Sequence, residues 1–164
     1  MKKIFGIVLI VMLAQVGKAQ YEGNVDLSFH SGSEGSVKFT FFGITTTHGI
    51  KTNGFFIGMG TGIEKITAKA TVLGTEISDD TFIIPLYLQP KYTFDIEKIK
   101  PFISANIGLM YDTEYYLSDG ISFYPELNAG LSFAASEDIN INFGVSYRIY
   151  SEVNYFGLKG GISF

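Results

Sequence analysis

The side chains able to do chemistry in this chain of 164 residues are few: two histidines, one arginine, a thin scatter of carboxylates and amines, and no cysteine. His30 precedes a turn-like Ser-Gly-Ser stretch, and Asp79-Asp80 falls in what reads as a long connection. A lipid-modifying site could place a histidine, an acid and a serine at such a rim, with the histidine acting as base. The spacing singles out no hydroxyl among the many present, so no catalytic residue is assigned and the chain reads as a non-enzyme. His48 falls in a predicted turn at the opposite rim, and two histidines so placed cannot share a metal ion. No metal and no cofactor is expected. Gly58, Gly60 and Gly62 are not a phosphate loop. Such a loop needs a glycine turn leading into a helix, and these glycines alternate with apolar residues.

The remaining charged residues of interest are Asp26, Glu64, Lys91, Glu126, Arg148 and Lys159. Each sits inside a segment of period two. From Ile139, the residues Ile139, Ile141, Phe143, Val145, Tyr147 and Ile149 alternate with Asn140, Asn142, Gly144, Ser146, Arg148 and Tyr150. Successive strand side chains point to opposite faces, so this is a strand with one apolar and one polar side. The same alternation runs through Val25–Phe29, Phe55–Glu64, Ile83–Phe94, Ile103–Asp112, Ile121–Phe133 and Phe156–Phe164. Val37–Thr47 is less regular because Phe41 and Phe42 are adjacent; Val37, Phe39 and Phe41 are assigned to its apolar face. These eight strands, each about 7 to 14 residues long, predict an all-β fold, an eight-stranded antiparallel up-and-down β-barrel.

Sidedness decides whether such a barrel meets water or lipid. The apolar faces carry large residues and no Asp, Glu, Lys or Arg, whereas the opposite faces hold Gly, Ser, Asn and all six charges above. An eight-stranded bore is only wide enough to be filled by side chains. Small residues with a few pairing charges suit it, and the apolar set then faces lipid. The barrel is expected to be transmembrane. Its inward charges should form a structural network, with Glu126 and Arg148 as partners on adjacent strands; the alternative is a switchable ion gate.

The N-terminus reads as an export signal: Lys2 and Lys3, the apolar run Ile4–Leu13, then Gly17-Lys18-Ala19 before a cleavage site. The run is shorter than the roughly 20 residues of a spanning helix. Residues 1–19 are assigned to a signal peptide and 20–164 to the barrel domain. Without residues 1–19 the chain keeps 9 basic and 16 acidic side chains, a net charge near −7. That excludes nucleic acid as a partner, since phosphate binding needs clustered Lys and Arg. With both termini in the periplasm, connections near His48–Asn53, Asp95–Lys100 and Ala135–Asp138 face inward and are short. Those near Thr67–Asp80 and Asp112–Gly120 face outward and are longer, while Ser31–Ser36 and Ser151–Asn154 are outward and short. The outer loops are where a surface partner would bind.

The export signal, the alternating segments, HGIKTNGFFIGMGTG (His48–Gly62) and the terminal YFGLKGGISF ending in Phe164 resemble the small outer-membrane β-barrels of the OmpA/OmpX type, often grouped as porin-family domains. The resemblance covers residues 21–164. It departs from the usual pattern at Lys159, where a glycine is customary five residues before the end; Gly160 stands beside it. It implies a bacterial outer-membrane location, contact with outer-membrane lipid, and Phe164 as a signal for the barrel assembly machinery. It further implies a role in envelope structure, adhesion or surface exposure, with a bore that is plugged and does not conduct.

Overall fold

A strand with two such different faces cannot satisfy both against a single neighbour, and the chain resolves this by closing on itself. In a computed structural model the strands are β1 (Gln20–Glu34), β2 (Val37–Thr52), β3 (Phe55–Val72), β4 (Thr75–Thr93), β5 (Ile99–Asp112), β6 (Ile121–Ala134), β7 (Asn140–Tyr150) and β8 (Val153–Ser163). The structure describes residues 20–72, 75–96, 99–113, 120–150 and 153–164. The expected signal peptide, most of the connection Asp112–Gly120 and Ser151 lie outside them. Each strand pairs antiparallel with the next, and β8 returns to β1, so the barrel is closed. The seam runs from Asn24↔Ser163 to Ser31↔Phe156. It ends in a reciprocal backbone pair, Gly23 N to Phe164 O at 2.7 Å and Phe164 N to Gly23 O at 2.9 Å.

Closure sorts the side chains as the alternation predicts. Arg148 and Glu64 inside the bore are 0% exposed, whereas Met59, Leu127 and Leu158 on the outer wall are 61%, 61% and 65% exposed. Water-facing apolar patches seldom exceed a few hundred Å²; this one surrounds the molecule, and hydrocarbon is the solvent it suits. Tyr21, Phe55, Tyr92, Phe94 and Phe164 ring the rim that carries both termini, here the terminal rim. Phe42, Phe82 and Phe156 stand toward the far rim. A closed barrel is the only β arrangement that leaves no strand edge unbonded in lipid.

Three expectations are corrected. Val37, Phe39 and Phe41 lie on the bore side of β2, and Phe42 and Ile44 take the outer wall. Where both adjacent residues are apolar, the pattern cannot choose a face. The register Gly43↔Glu64 chooses it, since Glu64 must point inward. The expected loop Thr67–Asp80 is mostly strand, paired from Ile66↔Thr81 to Val72↔Thr75. Backbone pairing outlasts the apolar alternation there, because Lys65–Asp80 and Lys69–Glu76 bridge the two strands, both at 2.8 Å. His48 is likewise inside β2, and the turn after it is the two-residue Asn53-Gly54. Their φ values of 48° and 81° are the left-handed pair that a tight hairpin requires.

The glycines of the inner face stand where the bore is most crowded. Gly60 and Gly108 flank Tyr87 on the two neighbouring strands, and Gly43 lies opposite Glu64. A Cβ on Gly60 would sit 2.3 Å from the Tyr87 ring, and one on Gly43 would sit 2.4 Å from Glu64 Cγ. Gly60→Val should therefore reduce the folded fraction sharply, read as the heat-modifiable band on an unboiled gel. Gly160→Ala, whose added carbon meets Phe143 at an ordinary 3.5 Å, should leave that band unchanged. Equal folding of both variants would refute this account of the bore.

Candidate functional site

Three layers fill the bore. The middle one is built around Arg148. Register places Glu126 of β6 directly opposite Arg148 of β7, while β3, which carries Glu64, is four strands away around an eight-strand ring and so on the facing wall. Arg148 reaches both carboxylates. Its Nη1 and Nη2 donate to Glu64 Oε2 and Oε1 at 2.5 and 3.0 Å. Its Nε and Nη2 donate to Glu126 Oε2 at 3.0 and 2.5 Å. Tyr124 bridges them, accepting from Nη2 at 2.7 Å and donating to Glu64 Oε1 at 2.9 Å. The guanidinium carbon also lies 4.6 Å from the Tyr124 ring centroid and 5.4 Å from that of Phe41, within cation–π range. Lys159 Nζ and Asn106 Nδ2 complete Glu126 Oε1 at 3.0 and 2.9 Å.

The layer toward the terminal rim is looser. Glu22 lies 2.5 Å from Lys51 Nζ and 3.6 Å from Lys91 Nζ. Between the two layers is a small polar pocket of about 20 Å³, lined in part by Asp26, Asn24, Asn128, Asn142, Lys91 and Lys159. That is room for one water or so. Toward the far rim the third layer is apolar. Phe41, Ile66, Ile83, Met110, Tyr150, Val153 and Tyr155 pack together, with Phe41 and Tyr155 edge-to-face at 4.8 Å between centroids.

Of the six charges picked out from the sequence, Glu64, Glu126, Arg148 and Lys159 come together in one network. Lys91 joins Glu22 and Lys51 instead, and Asp26 lines the pocket with no ion pair within 4 Å among the described residues. The sequence reading missed Glu22, Lys51, Tyr124 and Asn106. Glu22 shares parity with Asp26 and could have been found on that ground. The others gain meaning only from partners across the bore. Among the described residues, the bore below the apolar layer sets Glu22, Asp26, Glu64 and Glu126 against Lys51, Lys91, Arg148 and Lys159, and Lys100 at the terminal mouth is paired with Asp95, so the formal charge balances with His30 neutral.

His30 is not at a rim. It is wholly buried beside this network, opposite Gly157, whereas Asp80 lies three strands around the ring and faces outward. Its Nε2 meets both Ser146 Oγ at 2.7 Å and Glu126 Oε2 at 3.2 Å, while Nδ1 has no partner. A hydroxyl–histidine–acid relay needs its partners on opposite ring nitrogens, and this cluster has both on one. His48, on the outer wall, does use both. Tyr21 OH meets its Nδ1 at 2.5 Å, its Nε2 meets Thr46 Oγ1 at 2.9 Å, and Thr46 donates to the Asn24 carbonyl at 3.2 Å. A neutral ring satisfies every link, which accounts for a histidine on an apolar wall. Among the described residues no three His, Asp or Glu side chains gather as a metal would require.

No family model and no curated protein matches the chain. Solved structures do. Neisserial surface protein A is 17% identical, with 88% of this chain and 97% of that one aligned at a TM-score of 0.59. The N-terminal β-barrel domain of Pseudomonas aeruginosa OprF is 14% identical over 88% and 100%, at 0.47. The outer membrane enzyme PagL is 16% identical over 83% and 97%, also at 0.47. The likeness to the neisserial protein is one of fold, a small eight-stranded outer-membrane barrel.

Removing Arg148 would strand two facing carboxylates. Arg148→Ala should destabilise the folded barrel by about 3–5 kcal/mol, the usual cost of an orphaned buried ion partner, as measured by urea unfolding in micelles. Unchanged stability would show that the carboxylates are not held by this residue.

Proposed function

We propose that this chain is an integral outer-membrane barrel with a sealed bore, serving a structural, surface-interaction or adhesion role rather than a transport or catalytic one. The observation that carries this reading is the filled cross-section at Arg148, capped on the far side by the packed apolar layer. The continuous apolar wall and the likeness of fold to a neisserial surface protein support the location. On this reading the termini face the periplasm. The short turn at Asn53-Gly54 supports that orientation, as does the long β3–β4 ribbon at the opposite rim. Phe164 would serve as the assembly signal. Its position at the barrel seam supports this, with its ring over Gly23, where a Cβ would stand 2.8 Å from it. A non-enzymatic role is supported by His30 having no path to lipid and by the fully engaged hydrogen bonds of His48.

Membrane fractionation should recover the protein with the outer membrane, migrating differently when boiled and unboiled. In planar bilayers the folded protein should give no discrete current steps. Reproducible single-channel openings abolished by Arg148→Ala would replace this reading with that of a small channel.

A further inference from the structure

Just beyond the apolar belt, at the far rim, the outer wall of β2 and β3 is basic. Going outward, the paired rows are Ile44↔Ile63, Phe42↔Lys65, Thr40↔Thr67 and Lys38↔Lys69. Two lysines thus stand directly opposite one another on the same face, an arrangement that is unfavourable unless an anion joins them. Glu76 and Asp80 answer Lys69 and Lys65 from the β4 side only. Its hydrogen bond to the Glu76 carboxylate keeps the Lys69 amine above its ordinary range, so it stays charged. On the other flank, β1 presents Ser31 and Ser33 opposite Thr40 and Lys38. On this flank the described acid is Glu34, exposed at the rim in register with Val37 and on the inward parity of β1, and among the described residues Lys38 has no ion pair within 4 Å. The patch therefore offers amines and hydroxyls on its β1–β2 flank, is closed by Glu76 and Asp80 on the β4 flank, and is continuous below with a wall made for acyl chains.

We propose that Lys38 and Lys69, with the flanking hydroxyls of Ser31, Ser33 and Thr40, form a site for the phosphorylated headgroup of a lipid in the adjoining leaflet. The lipid's acyl chains would lie against Phe42 and Ile44. Amines and hydroxyls are the donors that phosphate oxygens accept from, and a headgroup anchored by tails on the belt reaches this height without further contacts. The inference rests on the outer-membrane reading with the termini inside, which places this rim at the outer leaflet.

The test uses the full folded barrel in zwitterionic micelles, with bound lipid counted by native mass spectrometry. Bisphosphorylated lipid A should be retained about tenfold better than its dephosphorylated form, given two lysines near the surface. Lys38→Gln combined with Lys69→Gln should abolish the preference, and Lys100→Gln at the terminal rim should preserve it. Amine-reactive labelling of the unaltered protein provides a second measurement that needs no variant: lipid A should protect Lys38. Equal retention of the two lipids, an unaltered preference in the double variant, or displacement by millimolar inorganic phosphate alone would each overturn the proposal. A barrel that still shifts on the unboiled gel and gives no current would then leave the outer-membrane reading standing while this site falls.

Discussion

A strand surrounded by hydrocarbon finds no water for its amides and carbonyls, so every backbone group must be answered by another strand. Here that condition is met by the return of β8 to β1, finished by the reciprocal pair between Gly23 and Phe164. Once the ring is closed, each strand has one face toward lipid and one toward a bore of fixed width. Period-two alternation, the scarcity of charge on the outer wall and the abundance of small residues within all answer that one requirement.

The bore sets a second condition, which is volume. Eight strands leave space for side chains and little else, so a large inward residue needs a small neighbour. Tyr87 lies between Gly60 and Gly108, Glu64 faces Gly43, His30 faces Gly157, and Asp26 faces Gly161. The glycine content that looks odd for a hydrophobic chain is thus the complement of its buried rings and charges. Charge follows the same logic. An unpartnered ion in the bore would be costly, and the single arginine joins both walls by binding one carboxylate beside it and another across the bore. Arginine suits this place because its planar fork can serve two carboxylates at once, which a lysine ammonium could not do with the same geometry.

Much of this was readable in advance. The strand number, the sidedness and the inward set Glu64, Lys91, Glu126, Arg148 and Lys159 follow from alternation, because a side chain's face is a property of its own strand. The pairing of Glu126 with Arg148 was also within reach, since the two strands are adjacent in sequence. Phe41 and Phe42 were not: two adjacent apolar residues satisfy either parity. The Thr67–Asp80 ribbon read as a loop because outside the lipid a strand need not be apolar on either face, and its cross-strand ion pairs leave no periodic trace. The Ser-Gly-Ser stretch after His30 points to a rim, but β1 runs on to Glu34 and its register with β8 sinks the ring into the bore.

The amino-acid order by itself determined that the chain would be a closed barrel with a greasy exterior and a charged interior, because both follow from local period and from the need to satisfy the backbone in lipid. Only the tertiary structure decided which charges meet across the bore. Glu64 and Arg148 are 84 positions apart and on facing walls, and their contact depends on strand number and stagger around the ring. The split of Lys91 from Lys159 and the opposition of Lys38 and Lys69 were decided in the same way. Register across a barrel is a collective outcome of all eight pairings, and no single strand encodes it.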